Sequence, residues 1–135
     1  MGKQKLVVVS GALIRLDQKF LLARRRHDVR FPLLWEFPGG RIEATETPEQ
    51  CVIREMKEEL GILVKPLRLL GTFGDELPDL KIYVYLYECE ITSGSPQCLE
   101  CENWGWFSLS KIKDLSLAPL DQKIFIWLKE DKYPE

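Results

Sequence analysis

Three glutamates, Glu55, Glu58 and Glu59, stand beside Arg54 in the stretch Gly40 to Ile62, which reads GRIEATETPEQCVIREMKEELGI. Carboxylates at i, i+3 and i+4 share one face of a helix, where their repulsion costs free energy unless a cation sits among them. Hard divalent cations take oxygen ligands, and Mg²⁺ is commonly held by one or two carboxylates together with substrate phosphates. The glutamates therefore point to a metal, and the metal points to a phosphorylated substrate. A bare E-x-x-E-E is ordinarily a solvated helix face. Here Gly40, Glu46, Arg54, Glu55, Glu58, Glu59 and Gly61 fill the spacing G-x5-E-x7-R-E-U-x-E-E-x-G-U, with U apolar. Seven fixed residues, each of roughly 5–7% usage, make a chance match on the order of one in 10⁸ or rarer.

The element that must carry this chemistry is a helix. Thr47 is an N-cap, Pro48 suits the first helical position, and Gln50 completes a capping box. Gly61 is placed for the left-handed residue after the last turn. The spacing predicts a helix over Pro48–Leu60, with Val52, Ile53, Met56 and Leu60 turned to the core and the three glutamates on another face.

The stretch resembles the Nudix box, and its setting, LWEFPGGRIEATETPEQ, resembles the MutT-type branch of that family. Weaker resemblance extends over nearly the whole chain. It implies one α+β domain over residues 1–135, an α/β/α sandwich with a mixed sheet. The implied activity is hydrolysis of a nucleoside diphosphate linked to a further group, with Mg²⁺ or Mn²⁺. Within the branch this means release of a nucleoside monophosphate and pyrophosphate from a triphosphate. An ADP-ribose or other sugar-nucleotide hydrolase is the alternative, and a Nudix-like binding or sensor domain without turnover is a further one.

The resemblance also distributes roles. Glu55, Glu58, Glu59 and the Gly39 carbonyl are expected metal ligands. A glutamate six residues before a strand-starting tryptophan falls on Glu100, ahead of Trp106, with Glu102 close enough to compete. Glu55 is the first choice for general base and Glu100 the second. Arg54 would orient Glu55 by a charge-assisted hydrogen bond, and Glu46 would steady the loop that presents Gly39. On the substrate side the expected residues are Arg25, then Arg30, for the nucleotide, and Phe37, Asp79 and Asp121 for the base. Leu6, Val8 and Ser10 are the implied pocket residues of the first strand. Leu77 stands where the family has an aromatic residue. An ionised Asp121 would only accept hydrogen bonds.

Other segments frame these positions. Lys5–Leu16 and Lys19–Ala23 read as antiparallel strands joined by a turn at Asp17-Gln18. Glu36 to Gly40 is a strand entering a Pro-Gly-Gly turn. Val64–Phe73 and Lys81–Ile91 are further strands, the second apolar on both faces and hence central. Ser108–Leu115 reads as a short helical turn, and Pro119–Lys129 as an amphipathic helix with Ile124, Phe125 and Leu128 inward.

A chain of 135 residues, 45% hydrophobic and 30% charged, has the size of one domain with one core. Its net charge of −2 offers no basic excess for a nucleic-acid polymer or an anionic membrane. The expected partner is a small nucleotide, with the protein a monomer or homodimer. No run approaches 18 apolar residues, and Leu6–Ile14 lacks a signal-peptide cleavage site, so a cytoplasmic protein is expected. Cys51, Cys89, Cys98 and Cys101 are expected as reduced thiols, with Cys98/Cys101 a secondary redox or metal candidate.

Overall fold

The computed structural model describes residues 4–130. Its elements run β1 (Lys5–Leu16), β2 (Lys19–Arg24), β3 (Trp35–Glu36), β4 (Gly39–Arg41), α1 (Pro48–Leu60), β5 (Leu63–Leu77), β6 (Leu80–Ser93), β7 (Asn103–Ser108), α2 (Leu109–Ile112) and α3 (Pro119–Glu130). The strands form one mixed sheet of order β3-β2-β1-β6-β5, with β4 pairing to β1 and β7 to β2. β1 runs parallel to β6 and antiparallel to β2 and β4. The turn from β1 to β2 places Asp17 at φ 57°, a left-handed conformation that aspartate tolerates.

Alternation along β1 divides the interior into two cores. Leu13 faces one side with Leu22, Leu86, Ile124, Phe125 and Leu128, under α3. Ala12 and Ile14 face the other with Leu21, Val52, Met56 and Leu60, under α1. Helices therefore cover both faces, which is the α/β/α sandwich expected, and β6 lies between β1 and β5 inside the sheet. No helix among the described residues is long and apolar enough to cross a membrane.

α1 has the anticipated bounds and ends. Gln50 N–H donates to Thr47 Oγ1 at 3.1 Å, and Thr47 N–H donates to Gln50 Oε1 at 2.8 Å. Gly61 adopts φ 68° and its N–H donates to the Lys57 carbonyl at 3.1 Å. Ile53 is a correction. It is 37% exposed, and the inward residues are Cys51, Val52, Met56, Glu59 and Leu60. Ile53 follows Val52 by 100° and so falls at the edge of the buried stripe.

Three further expectations change. β5 and β6 extend toward each other, so only Pro78 and Asp79 remain between them. The Glu36–Gly40 stretch divides into β3 and β4 around Phe37-Pro38, because Gly39 and Gly40 leave β3's partner and pair with Gly11 and Ser10 of β1. Cys98 and Cys101 are joined as a disulfide rather than reduced. The segment before β7 folds back on the end of α1, where Leu99 N–H donates to the Glu59 carbonyl at 2.9 Å. This turn brings the two Cα atoms to 5.1 Å, within disulfide reach. Cys51 and Cys89 are free and buried.

Thr47→Ala removes the side-chain acceptor of the capping box. It should destabilise the protein by about 1 kcal/mol in denaturant unfolding, and an unchanged midpoint would show that packing alone holds the start of α1.

Candidate active site

The acidic face of α1 is graded in depth. Glu59 is 7% exposed and lies inward, Glu55 is largely buried and Glu58 is exposed. Arg54 ties this face to the preceding loop. Its Nε and Nη2 donate to both oxygens of Glu46 at 2.9 and 2.7 Å, and Nη1 donates to Glu55 at 2.8 Å and Glu58 at 3.0 Å. Nη2 also reaches the Arg41 carbonyl at 3.0 Å. The fork holds the Glu46 carboxyl down at about 2, so it stays ionised. Glu46 accepts in turn from the Glu43 N–H at 2.9 Å, which closes the loop between β4 and α1.

Burial raises the pKa of Glu55, against the pull of Arg54, and raises that of Glu59 well above the ordinary carboxylate value. The negative charges of Glu36, Glu55 and Glu100 push Glu59 further in the same direction. An all-oxygen group with surplus negative charge has the chemistry of a site for a hard divalent cation. Among the described residues the side chains as placed do not enclose such an ion with three acidic, histidine or cysteine groups. Glu55 and Glu58 each turn an oxygen to Arg54 instead.

The loop carrying Glu100 is anchored by its backbone N–H to the Glu59 carbonyl at 3.2 Å, and its charge is felt at both Glu55 and Glu59. Glu102 is directed elsewhere, accepting from His27 at 2.6 Å. Of the two competing glutamates, Glu100 is the one the structure brings to the acidic cluster. Trp104 packs against the core under α1 and covers the sheet.

A cavity of about 410 Å³ opens on the α3 side of the sheet. Arg25, Arg30, Phe37, Gly39, Asp79 and Asp121 all line it, whereas Glu55, Glu58 and Glu59 do not. The two regions meet at Gly40. Gly40 lines the cavity and also abuts the Glu55 carboxylate so closely that a Cβ there would overlap it. Gly39 has the same requirement toward β1, where a Cβ would collide with the Ser10 carbonyl.

The strand residues of the cavity are a correction. Val7, Val9 and Ser10 line it, the last with its hydroxyl turned to the Pro48 carbonyl at 2.7 Å, while Leu6 is 63% exposed and neither Leu6 nor Val8 reaches it. Of the expected set, Ser10 holds, and Leu6 and Val8 are replaced by Val7 and Val9, because pairing with β4 and β6 turns Val7 and Val9 toward α3.

At the back of the cavity, Arg25 Nη1 donates to Glu36 at 2.8 Å and Asp121 Oδ1 accepts from the Phe37 N–H at 2.9 Å. Phe37 is itself buried in the core under α3. Burial, and then the nearby Glu36 charge, raise the Asp121 pKa well above its ordinary value; the Phe37 bond opposes this only partly. Asp121 is therefore biased toward the neutral acid, which both donates and accepts, whereas an ionised carboxylate would only accept. Sequence reasoning missed Glu36 as a partner of this group; an ionisable residue flanked by Trp35 and Phe37 was the available signal.

The sequence profile of the NUDIX domain matches residues 5–128. An 8-oxo-dGTP diphosphatase of Escherichia coli (strain K12) is 32% identical over 93% of this chain and 98% of its own length. A CTP pyrophosphohydrolase of the same organism is 32% identical, with 87% of each chain covered. The crystal structure of a MutT protein from Methanosarcina mazei Go1 superposes with a TM-score of 0.85 at 26% identity, covering 98% of this chain and 99% of that one.

A carboxyl whose pKa is raised on folding adds stability below its unfolded value, and that contribution is lost as pH rises through the folded value. Asp121→Asn keeps the acceptor for Phe37 but cannot ionise. The variant should therefore gain in melting temperature relative to the unaltered chain as pH rises from about 4 to about 8. Parallel curves over that range would show that Asp121 ionises without cost.

Proposed function

The chain belongs to the Nudix hydrolase family, and we propose that its substrate is a nucleoside triphosphate, cleaved to the nucleoside monophosphate and pyrophosphate. The observation that carries this reading is the junction at Gly40, where a cavity suited to a nucleoside meets an acidic cluster suited to the cation of a phosphate chain. The 8-oxo-dGTP diphosphatase and CTP pyrophosphohydrolase relatives favour a triphosphate, including an oxidised or otherwise modified one, and hence a role in nucleotide-pool sanitation. Glu55, Glu58, Glu59, Glu100 and the Gly39 carbonyl would hold Mg²⁺ or Mn²⁺. When bound, such a cation neutralises the phosphate chain and acidifies water.

The residues of the chain supply the rest. Glu55, raised by burial and held in orientation by Arg54, is suited to take a proton from the attacking water. Glu100 is the second candidate for that step. Arg54 couples Glu55 and Glu58 to the Glu46 loop, so that the loop ending at α1 keeps Gly39 and Gly40 in register with β1. Arg25 presents a guanidinium at the cavity wall, where phosphate oxygens match its fork. Phe37 and Asp121 form the inner wall against which the base rests, and a neutral Asp121 can both donate to the base and accept from it.

The reading is tested by product chromatography over a panel of canonical and oxidised nucleoside triphosphates and ADP-ribose with Mg²⁺. Triphosphates should yield pyrophosphate; preferential cleavage of ADP-ribose to two monophosphates would replace this substrate class with the sugar-nucleotide alternative. Glu58→Gln and Glu59→Gln should each lower kcat by about 10²-fold or more with the fold intact by circular dichroism. Full activity in either variant would remove that residue from the metal site.

A further inference from the structure

Arg25 does not stand alone at the cavity wall. Its Nη1 donates to Glu36 at 2.8 Å, and its Nε donates to the Arg30 carbonyl at 2.8 Å. The Arg30 guanidinium forms a two-pronged pair with Asp79, at 2.9 Å to Oδ2 and 2.8 Å to Oδ1. The Asp79 carbonyl accepts from the Lys5 N–H at 3.1 Å. A continuous line of hydrogen bonds thus runs from partly buried Glu36, through the β2–β3 loop, to the β5–β6 turn and the start of β1. Each of its five members lines the cavity.

The loop between β2 and β3 needs such ties. Phe31 and Leu33 sit at φ 53° and 63°, a left-handed region that costs a side-chain-bearing residue roughly 1–2 kcal/mol. Backbone bonds from Leu33 N–H to the Arg25 carbonyl and from Arg25 N–H to the Leu34 carbonyl close its base. Two side-chain pairs tie it to other parts of the fold: His27 with Glu102 ahead of β7 at 2.6 Å, and Arg30 with Asp79 in the β5–β6 turn, the latter pair lining the cavity. Arg30 also lies over the Phe31 ring, 5.0 Å from its centroid, which orients the fork.

We propose that Arg30 and Asp79 are positioning residues that hold this loop across the cavity mouth and thereby set the Arg25 guanidinium for substrate. The proposal rests on the reading of the cavity as the nucleotide site, and it reassigns two residues that family resemblance places directly on the nucleotide. Their openness to water, with side chains 47% and 65% exposed, limits the size of the effect. It also lets the pair part and re-form as a nucleotide enters.

The test combines amide hydrogen exchange without nucleotide and steady-state kinetics with 8-oxo-dGTP and CTP as probes. Asp79→Asn and Arg30→Gln should each speed exchange across residues 26–34 and raise KM about two- to fivefold with kcat little changed. The charge-swapped double variant, Arg30→Asp with Asp79→Arg, should recover most of both. Direct contact of each residue with the nucleotide predicts the opposite: a swap at least as impaired as either single variant. That result, or exchange unaffected by the single variants, overturns the proposal. No turnover of either probe by the unaltered protein would instead overturn the reading of the site. The exchange data, which need no substrate, tell the two failures apart.

Discussion

The acid-rich centre of this protein exists because two arginines hold it. Glu46, Glu55 and Glu58 converge on Arg54, and Glu36 is paired with Arg25. A carboxylate taken out of water is stable only with a partner charge or with hydrogen bonds to its oxygens. Arg54 supplies both to the loop before α1 and to the helix itself, so one side chain locks the loop to the acidic face. Glu59 makes no ion pair among the described residues; burial and the negative charges of Glu36, Glu55 and Glu100 hold it toward the neutral form, with Arg25 opposing. The cluster is thus compensated at its rim and left short of positive charge at its core, which is the electrostatic state a divalent cation completes.

The same economy governs the path from this cluster to the cavity. Gly39 and Gly40 let β4 lie against β1 without a side chain between them, and the missing Cβ of Gly40 gives the Glu55 carboxylate its place. On the proposed reading, one short strand then serves both a nucleoside in the cavity and its phosphate chain over the acidic face. On the far wall, burial and the nearby Glu36 charge make Asp121 easier to protonate than an exposed aspartate, with the Arg25 charge opposing. On the proposed reading the two halves are acidic for different ends, one to hold a cation and the other to offer a hydrogen bond in both directions.

Much of this was legible in residue order where the physics is local. Thr47, Pro48, Gln50 and Gly61 mark both ends of α1, since caps act within a turn. The box spacing identified the acidic face for the same reason. Depth was not legible: a helical period gives angle, and only contact with β1 and β4 distinguishes buried Glu59 from exposed Glu58. The phase of β1 was ambiguous because Leu6, Val7, Val8 and Val9 are all apolar, and pairing with β4 and β6 decides which of them face the cavity. Glu100 could not be separated from Glu102 until His27, 75 residues distant, claimed the latter. The Arg30–Asp79 pair joins residues 49 apart and leaves no local trace in the chain.

Calorimetric titration of the nucleotide-free protein with Mn²⁺ bears most directly on the role of the acidic face. Saturable uptake is expected for the unaltered chain and should be strongly weakened when Glu59 is replaced by glutamine. Uptake that is absent, or that is indifferent to Glu59, would contradict the central claim that these carboxylates are gathered to hold a divalent cation.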